Sequence, residues 1–212
     1  MSTLADMTDE LANELIGGQS NDEIRASISE AISCYENERF WFLETSSVFN
    51  TVIGQDYYTD TEITDPPLTR LIELDRATVL INGYECEIDW EGSNRVDWKA
   101  DSQSTGEPYA LALYGERLRL YPIPDQVYQV TLKGAFRQEE LDLEDDDATS
   151  AWFDKRYGYY LVKAKTAALV EAIYNRNQDS AERYEALADQ HYRKAKAGGS
   201  RRRFTGTIQG SL

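Results

Sequence analysis

Residues 106–136 constrain the fold of this chain more than any other stretch. Leu118 and Leu120 alternate with Arg117 and Arg119, and Tyr128, Val130 and Leu132 alternate with Gln129, Thr131 and Lys133. A period of two sends neighbouring side chains to opposite faces, which describes a sheet with one face buried and one wet. Three short strands with two turns are predicted. Tyr114-Gly115-Glu116 turns the first strand into the second. Pro122-Ile123-Pro124-Asp125 separates the second from the third, because two prolines cannot donate to a ladder.

The flanks read differently. Residues 5–16 predict a short helix with Leu11, Leu15 and Ile16 on its apolar side, ended by Gly17-Gly18. Ser20 or Asn21 then caps a longer helix, with Asp22 and Glu23 in the first turn where carboxylates favour the dipole. Ile24, Ile28, Ala31, Ile32 and Tyr35 keep helical spacing, and the helix is expected to run to about Leu43 and present Phe40, Trp41 and Phe42 near its end. Three consecutive aromatics cannot share one side, so one of them is expected to pack on a neighbouring module or subunit. From Thr45 the period changes to that of strands, with turns at Gly54-Gln55 and Asp65-Pro66-Pro67. Thr78-Ile81, Asn82-Gly83 and Tyr84-Ile88 form the strongest hairpin signal, because Asn-Gly favours the type I′ turn. Residues 89–105 are polar, with Trp90 and Trp98 expected as anchors.

The helical period returns after an acidic linker at residues 138–147, which holds seven carboxylates. Ala164, Ala168 and Ala172 lie along one line with Leu161, and such small residues let another helix approach closely. A final helix is expected from Asp179 or Ser180, with Leu187 and Tyr192 inward and Gly198-Gly199 as its end. The class is therefore α+β: a helical bundle of one long N-terminal helix and two C-terminal helices, an inserted antiparallel β module and an extended C-terminal tail. The expected divisions are an arm or short helix at 1–19, a helical module at 20–44 and 148–198, the β module with its linker at 45–147, and a tail at 199–212.

Charge narrows the function. The chain of 212 residues carries a net charge of -16, but residues 190–212 hold six basic side chains and no acidic one. The 189 residues before them carry 16 basic and 38 acidic groups, or -22. An acidic body repels nucleic acid, whereas a basic tail can grip phosphate or dock on an acidic protein surface. The tail Ser200-Arg201-Arg202-Arg203-Phe204 also has apolar anchors in Phe204 and Ile208, which favours a segment that orders on docking to a protein. Fourteen tyrosines suit either strands or surfaces buried on assembly.

Catalytic chemistry has no foothold. The one histidine, His191, cannot by itself build a triad or a His-rich metal site. The acidic run lacks the glycine and ligand spacing of a calcium loop. Carboxylate pairs such as Asp89 and Glu91 arise by chance among 38 acids. Cys34 and Cys86 make neither a disulfide framework nor a zinc site, and both are expected reduced and partly buried. No cofactor is expected. The acidic N-terminus has no apolar signal core, and no apolar run approaches the ~18 residues of a span. A protein made in the cytoplasm without membrane attachment is expected.

Several segments, in order, carry a resemblance. A helix leads to Arg39-Phe40-Trp41-Phe42-Leu43, a strand to Gly54-Gln55-Asp56-Tyr57-Tyr58, and there follow Gly106-Glu107-Pro108-Tyr109, Leu118-Arg119-Leu120-Tyr121-Pro122-Ile123-Pro124-Asp125 and Tyr128. Over roughly residues 20–200 this resembles the head-to-tail adaptor, or connector, proteins of tailed phages, especially short-tailed ones. The resemblance implies a non-enzymatic virion protein of the neck. It implies a ring of about twelve copies beneath the portal protein, with helices around a channel through which packaged DNA passes without specific binding. The β module would offer a platform to tail or nozzle proteins, and the C-terminal segment would dock on the portal. On that basis Arg201, Arg202, Arg203, Phe204 and Ile208 are the expected portal-docking residues. Ala164, Ala168, Ala172 and Trp41 are expected at helix packing or subunit contacts. Tyr114, Tyr121, Pro122 and Pro124 are expected on the tail-facing β surface. Another neck or tail component, such as a stopper or tail-tube protein, is the alternative, and a nucleic-acid-binding regulator using the basic tail is a further one.

Overall fold

The computed structural model describes residues 2–15, 17–91, 104–154 and 158–204, with the backbone alone for 199–204. Two compact units emerge, Met1–Leu43 with Gln138–Leu212, and Glu44–Arg137. Among its described residues the first holds four α-helices: α1 (Leu4–Glu14), α2 (Asn21–Ser33), α3 (Tyr159–Ile173) and α4 (Gln178–Phe204). Among its described residues the second holds nine strands: β1 (Glu44–Asn50), β2 (Tyr57–Tyr58), β3 (Leu71–Ile81), β4 (Tyr84–Trp90), β5 (Thr105–Gly106), β6 (Ala110–Tyr114), β7 (Arg117–Tyr121), β8 (Ile123–Pro124) and β9 (Gln129–Phe136).

Both N-terminal helices begin in reciprocal capping boxes. Thr3 Oγ1 accepts from the Asp6 amide at 3.2 Å while the Thr3 amide donates to Asp6 Oδ2 at 3.0 Å. Ser20 and Glu23 repeat the arrangement at α2. The amides of Leu4 and Ala5 donate to the carbonyls of Ala148 and Asp146. Arg25 donates to the Leu143 carbonyl at 3.0 Å and pairs with Asp146. The acidic segment at 138–147 is thus a strap within the helical unit, and it satisfies amides that a helix start leaves open. On α3, Lys163 reaches Glu10 at 2.9 Å and Glu14 at 2.6 Å on α1, and Lys165 reaches Glu185 on α4 at 2.7 Å.

Three helix expectations are corrected. α2 stops at Ser33, ten residues before Leu43, and the chain continues through turns to a 3-10 turn at Trp41–Leu43. Burial of Phe40 against Trp152, with ring centroids 5.3 Å apart, outweighs the helical period there. α4 starts at Gln178, with Asn177 Oδ1 accepting from the Ser180 amide at 3.3 Å, and it runs through Gly198-Gly199 to Phe204. The expected extended tail is therefore helical up to Phe204, and Ile208 lies outside the described residues. A glycine inside a helix costs about 1 kcal/mol. Here one of them makes room, because a Cβ on Gly198 would stand 3.1 Å from Trp41 Nε1. The inward line of α4 is Ala181, Ala188 and Ala195, spaced by seven, whereas Leu187 is 40% exposed.

The β unit forms a seven-stranded curled sheet in the order β1-β9-β3-β4-β6-β7-β2, and a two-stranded one of β5 and β8. Asn82 (φ 52°) and Gly83 (φ 83°) form the β3–β4 turn as expected. The sheet is mixed, not purely antiparallel. β4 and β6 run parallel, with Asp89 beside Ala110 and Trp90 beside Leu111. Parallel neighbours need a long crossover, and the chain between Trp90 and Ala110 supplies one. Trp90 is exposed among the described residues, and Trp98 lies outside them. Cys34 and Cys86 are both exposed, against the expected partial burial. The core of this unit gathers Phe49, Tyr58, Val79, Ile88, Leu118 and Val130 with their neighbours.

Gly134 on β9 sits between β1 and the bulged stretch of β3, where the register shifts between Leu71 and Glu73 and again between Leu74 and Arg76. A Cβ there would stand 2.2 Å from the Glu73 carbonyl oxygen. Backbone cannot retreat as a side-chain tip can, so Gly134→Ala is expected to cost about 2 kcal/mol or more; chemical denaturation of the β unit checks this. In the helical unit, His191 stacks on Tyr160 with centroids 5.6 Å apart. Burial, and then the Lys194 ammonium, hold its pKa below the usual imidazole range. The unfolded chain therefore takes the proton more readily. This contribution to stability is complete above the ordinary value of ~6.5 and is lost as pH falls through the folded value. The thermal midpoint is expected to drop between about pH 7 and pH 5, and His191→Phe, which keeps the stack, is expected to remove that part of the drop.

Candidate functional site

The resemblance segments that fall in the β unit meet at one of its corners, while Arg39-Phe40-Trp41-Phe42-Leu43 belongs to the helical unit. The turn Val52–Gln55 is closed by the Gln55 amide donating to the Val52 carbonyl at 3.1 Å, with Gly54 at φ 78°. The Gly54 amide then donates to the Pro124 carbonyl at 2.9 Å. Tyr58 is buried, and its hydroxyl donates to the Gln55 carbonyl at 2.7 Å and accepts from the Val52 amide at 3.2 Å. Burial pushes that phenol up to about 12, so it stays protonated and keeps donating. Asp125 accepts from the Tyr128 hydroxyl at 2.7 Å, and the Tyr128 amide donates to Thr51 Oγ1 at 2.8 Å. β5 carries Gly106 beside Pro124 of β8. These bonds tie the loops of the corner to one another, and Ile53 and Val127 stand outward from it, 63% and 60% exposed.

Next to this corner the outer face of β6, β7 and β2 carries tyrosine and arginine. Tyr57 on β2 pairs with Arg119 on β7, which pairs in turn with Ala112 on β6. Pairing in register puts these three on one face, and the period of two adds Tyr114, Ala110, Arg117 and Tyr121 to it. Arg119 binds Asp56 at 2.9 Å and lies over the Tyr57 ring at 4.6 Å. Tyr57 meets Tyr114 edge-on at 6.0 Å, and Tyr109 meets Tyr121 at 5.5 Å. The opposite face of the same strands sends Leu118, Leu120 and Tyr58 into the core.

The expected tail-facing residues divide on this surface. Tyr114 is half exposed, while Tyr121, Pro122 and Pro124 are buried. Buried side chains shape the corner and cannot present a surface. The exposed tyrosines are Tyr57, which sequence reasoning did not single out as a surface residue, and Tyr109, which it assigned to the core or the tail-facing surface. Arg119 lies over the Tyr57 ring and Tyr121 meets Tyr109 edge-on, and aromatic and guanidinium groups are what interface centres favour.

In the helical unit the aromatic segment Phe40–Phe42 meets the second half of α4. Phe40 contacts Phe42, Trp152 and Tyr192 at centroid distances of 5.2, 5.3 and 5.9 Å. Lys196 donates to Glu38 Oε2 at 2.6 Å and to the Arg39 carbonyl at 3.0 Å, and its ammonium stands 4.8 Å from the Phe40 ring centre. That hydrogen bond holds the Glu38 carboxyl below its usual range. One basic residue of the C-terminal cluster is thereby committed to the fold. Ala164 and Ala168 are buried on α3, Ala172 is exposed, and Trp41 is half buried beside Gly198. Arg201, Arg202, Arg203 and Phe204 fall on the last turn of α4.

Among the described residues there is no cluster of three metal-ligating side chains, and no helix is long and apolar enough to cross a membrane. What the arrangement can do is bind surfaces: a rigid tyrosine-rich face on the β unit and a long charged helix on the other. No curated protein matches the chain. The sequence profile described as SU10 adaptor protein matches residues 2–209, nearly the whole length. The chain therefore belongs to the SU10 adaptor protein family and is a phage structural adaptor, in which a scaffold of this kind joins virion components without chemistry of its own.

Proposed function

We propose that the protein forms a ring beneath the portal at the head-to-tail junction, extends the DNA channel, and offers its β unit to tail components. The observation that carries this reading is the charge and length of α4. It is 27 residues long, and beyond Asp189 it holds Arg193, Lys194, Lys196 and Arg201–Arg203 with no acidic residue. A helix end of this charge suits an acidic protein surface, while the -22 on the preceding residues repels packaged DNA and lets it slide. Arg201, Arg202, Arg203 and Phe204 are the portal-docking group, with Ile208 beyond them. Helical continuity to Phe204 supports docking of a preformed helix end, which loses less entropy than an extended tail. Ala164, Ala168 and Trp41 fit close helix packing within one copy, and Ala172, exposed, remains for a neighbour.

On the β unit, Tyr57, Tyr109 and Tyr114 form the tail-facing surface in this reading, supported from beneath by Arg119 and by the buried Tyr121, Pro122 and Pro124. Tyrosine supplies large contact area at small entropic cost. A stopper or tail-tube role lacks a specific observation in its favour.

Two outcomes test this. Replacing Arg201, Arg202 and Arg203 together by alanine is expected to lower retention of the protein on purified portal by about tenfold or more, with helical circular dichroism unchanged; unaltered retention ends the docking role. Tyr109→Ala with Tyr114→Ala is expected to leave portal binding intact and to lower the fraction of assembled particles that carry tails, counted by electron microscopy.

A further inference from the structure

We infer that the outward face of α4 is a subunit interface, and that its occupant is the outward face of α2 from a second copy of this chain. The inference rests on the ring reading and adds which surfaces meet.

α4 has two unlike sides. Ala181, Ala188 and Ala195 face inward. The other side carries Ala186, Asp189, Gln190, Arg193, Lys194 and Ala197, which line an open groove of about 450 Å³. Ala186 and Ala197 are its small members at either end, and the four between them are polar, a face that another helix can approach. Leu187 borders it, 40% exposed. Arg193 and Lys194 have no ion-pair partner among the described residues, and the groove's one carboxylate, Asp189, leaves it net positive.

The complementary surface lies on the same chain. Residues 1–43 hold nine acidic side chains against Arg25 and Arg39. α2 turns Ile24, Ser27, Ile28 and Ala31 inward and leaves Asp22, Ala26, Glu30 and Ser33 exposed. These follow one another at intervals of three or four residues, so they form a single stripe. Neither Asp22 nor Glu30 has an ion-pair partner among the described residues. At 1.5 Å per residue the stripe from Asp22 to Glu30 is about 12 Å long, and the groove from Ala186 to Ala197 about 16 Å. Ala26 lets the two backbones close, and the carboxylates on either side of it supply the charge that Arg193 and Lys194 call for. The two faces differ, so the contact is heterologous, and a heterologous contact whose rotation closes generates a ring.

Charge exchange tests the pairing. One chain carries Arg193→Glu with Lys194→Glu, and another carries Asp22→Lys with Glu30→Lys. Each is mixed with purified portal, and ring occupancy is read by mass photometry against protein concentration, with circular dichroism confirming that both fold. Each variant alone is expected to need about tenfold or more protein for half occupancy, because like charges then face each other. An equal mixture is expected to return to the wild-type range, since each chain offers the charge the other lacks. If both variants assemble like wild type, the interface assignment is overturned while the ring stands. If both fail and the mixture fails too, the faces belong to the portal or another partner. If wild type itself forms no ring, the ring reading falls and this inference falls with it.

Discussion

Pairing of β1 with β9 is the constraint on which the rest depends. It sets Glu44 opposite Ala135, so the segment from 44 to 137 leaves and returns at adjacent ends of one ladder. Closing so long a loop costs entropy that grows slowly with length, and seven cross-strand pairs offset it. β9 also pairs with β3 along eight positions, which makes it the axis of the sheet. Gly134 is where these two pairings meet, and only a residue without a Cβ fits beneath the Glu73 carbonyl. Because the ends of this unit are tied together, α2 and α3, distant in sequence, remain free to belong to one helical unit.

The two units use their polar groups in different ways. In the β unit, buried polar groups are consumed in stiffening a corner: the Tyr58 hydroxyl, the Thr51 hydroxyl and the Pro124 carbonyl all hold loops. In the proposed function, a corner so held lets Tyr57, Tyr109 and the half-exposed Tyr114 bind without a large ordering cost. In the helical unit, charge is segregated along α4, with Asp179, Glu182, Glu185 and Asp189 before the basic half. Acids near the helix start and bases near its end agree with the macrodipole. Lys196 is held by Glu38 and the Phe40 ring, while Arg193 and Lys194 are exposed.

Much of the fold was legible in short stretches. Thr3 and Ser20 with a carboxylate three residues on fix helix starts, and Asn82-Gly83 fixes a hairpin, because these structures are decided within four or five residues. The site was less legible. Tyr121, Pro122 and Pro124 read as surface, yet they are buried. The period of two says that faces differ; it does not say that a second small cluster of Ala110, Ala112 and Tyr121 covers the outer one. Gly134 carried a readable signal, since a lone glycine within a strand marks a bulge or a close approach.

The sequence by itself determined the α+β class, the helix starts, the tight turns, the concentration of positive charge after residue 190 and the family resemblance. Each depends on neighbours along the chain or on composition. Tertiary structure alone decided where α2 stops, that α4 runs past Gly198-Gly199, that β4 lies parallel to β6, and which tyrosines remain exposed. Those outcomes turn on contacts between residues far apart in sequence. Phe40 on Trp152, Trp41 beside Gly198 and Arg119 on Asp56 outweigh the local preferences of the residues that make them.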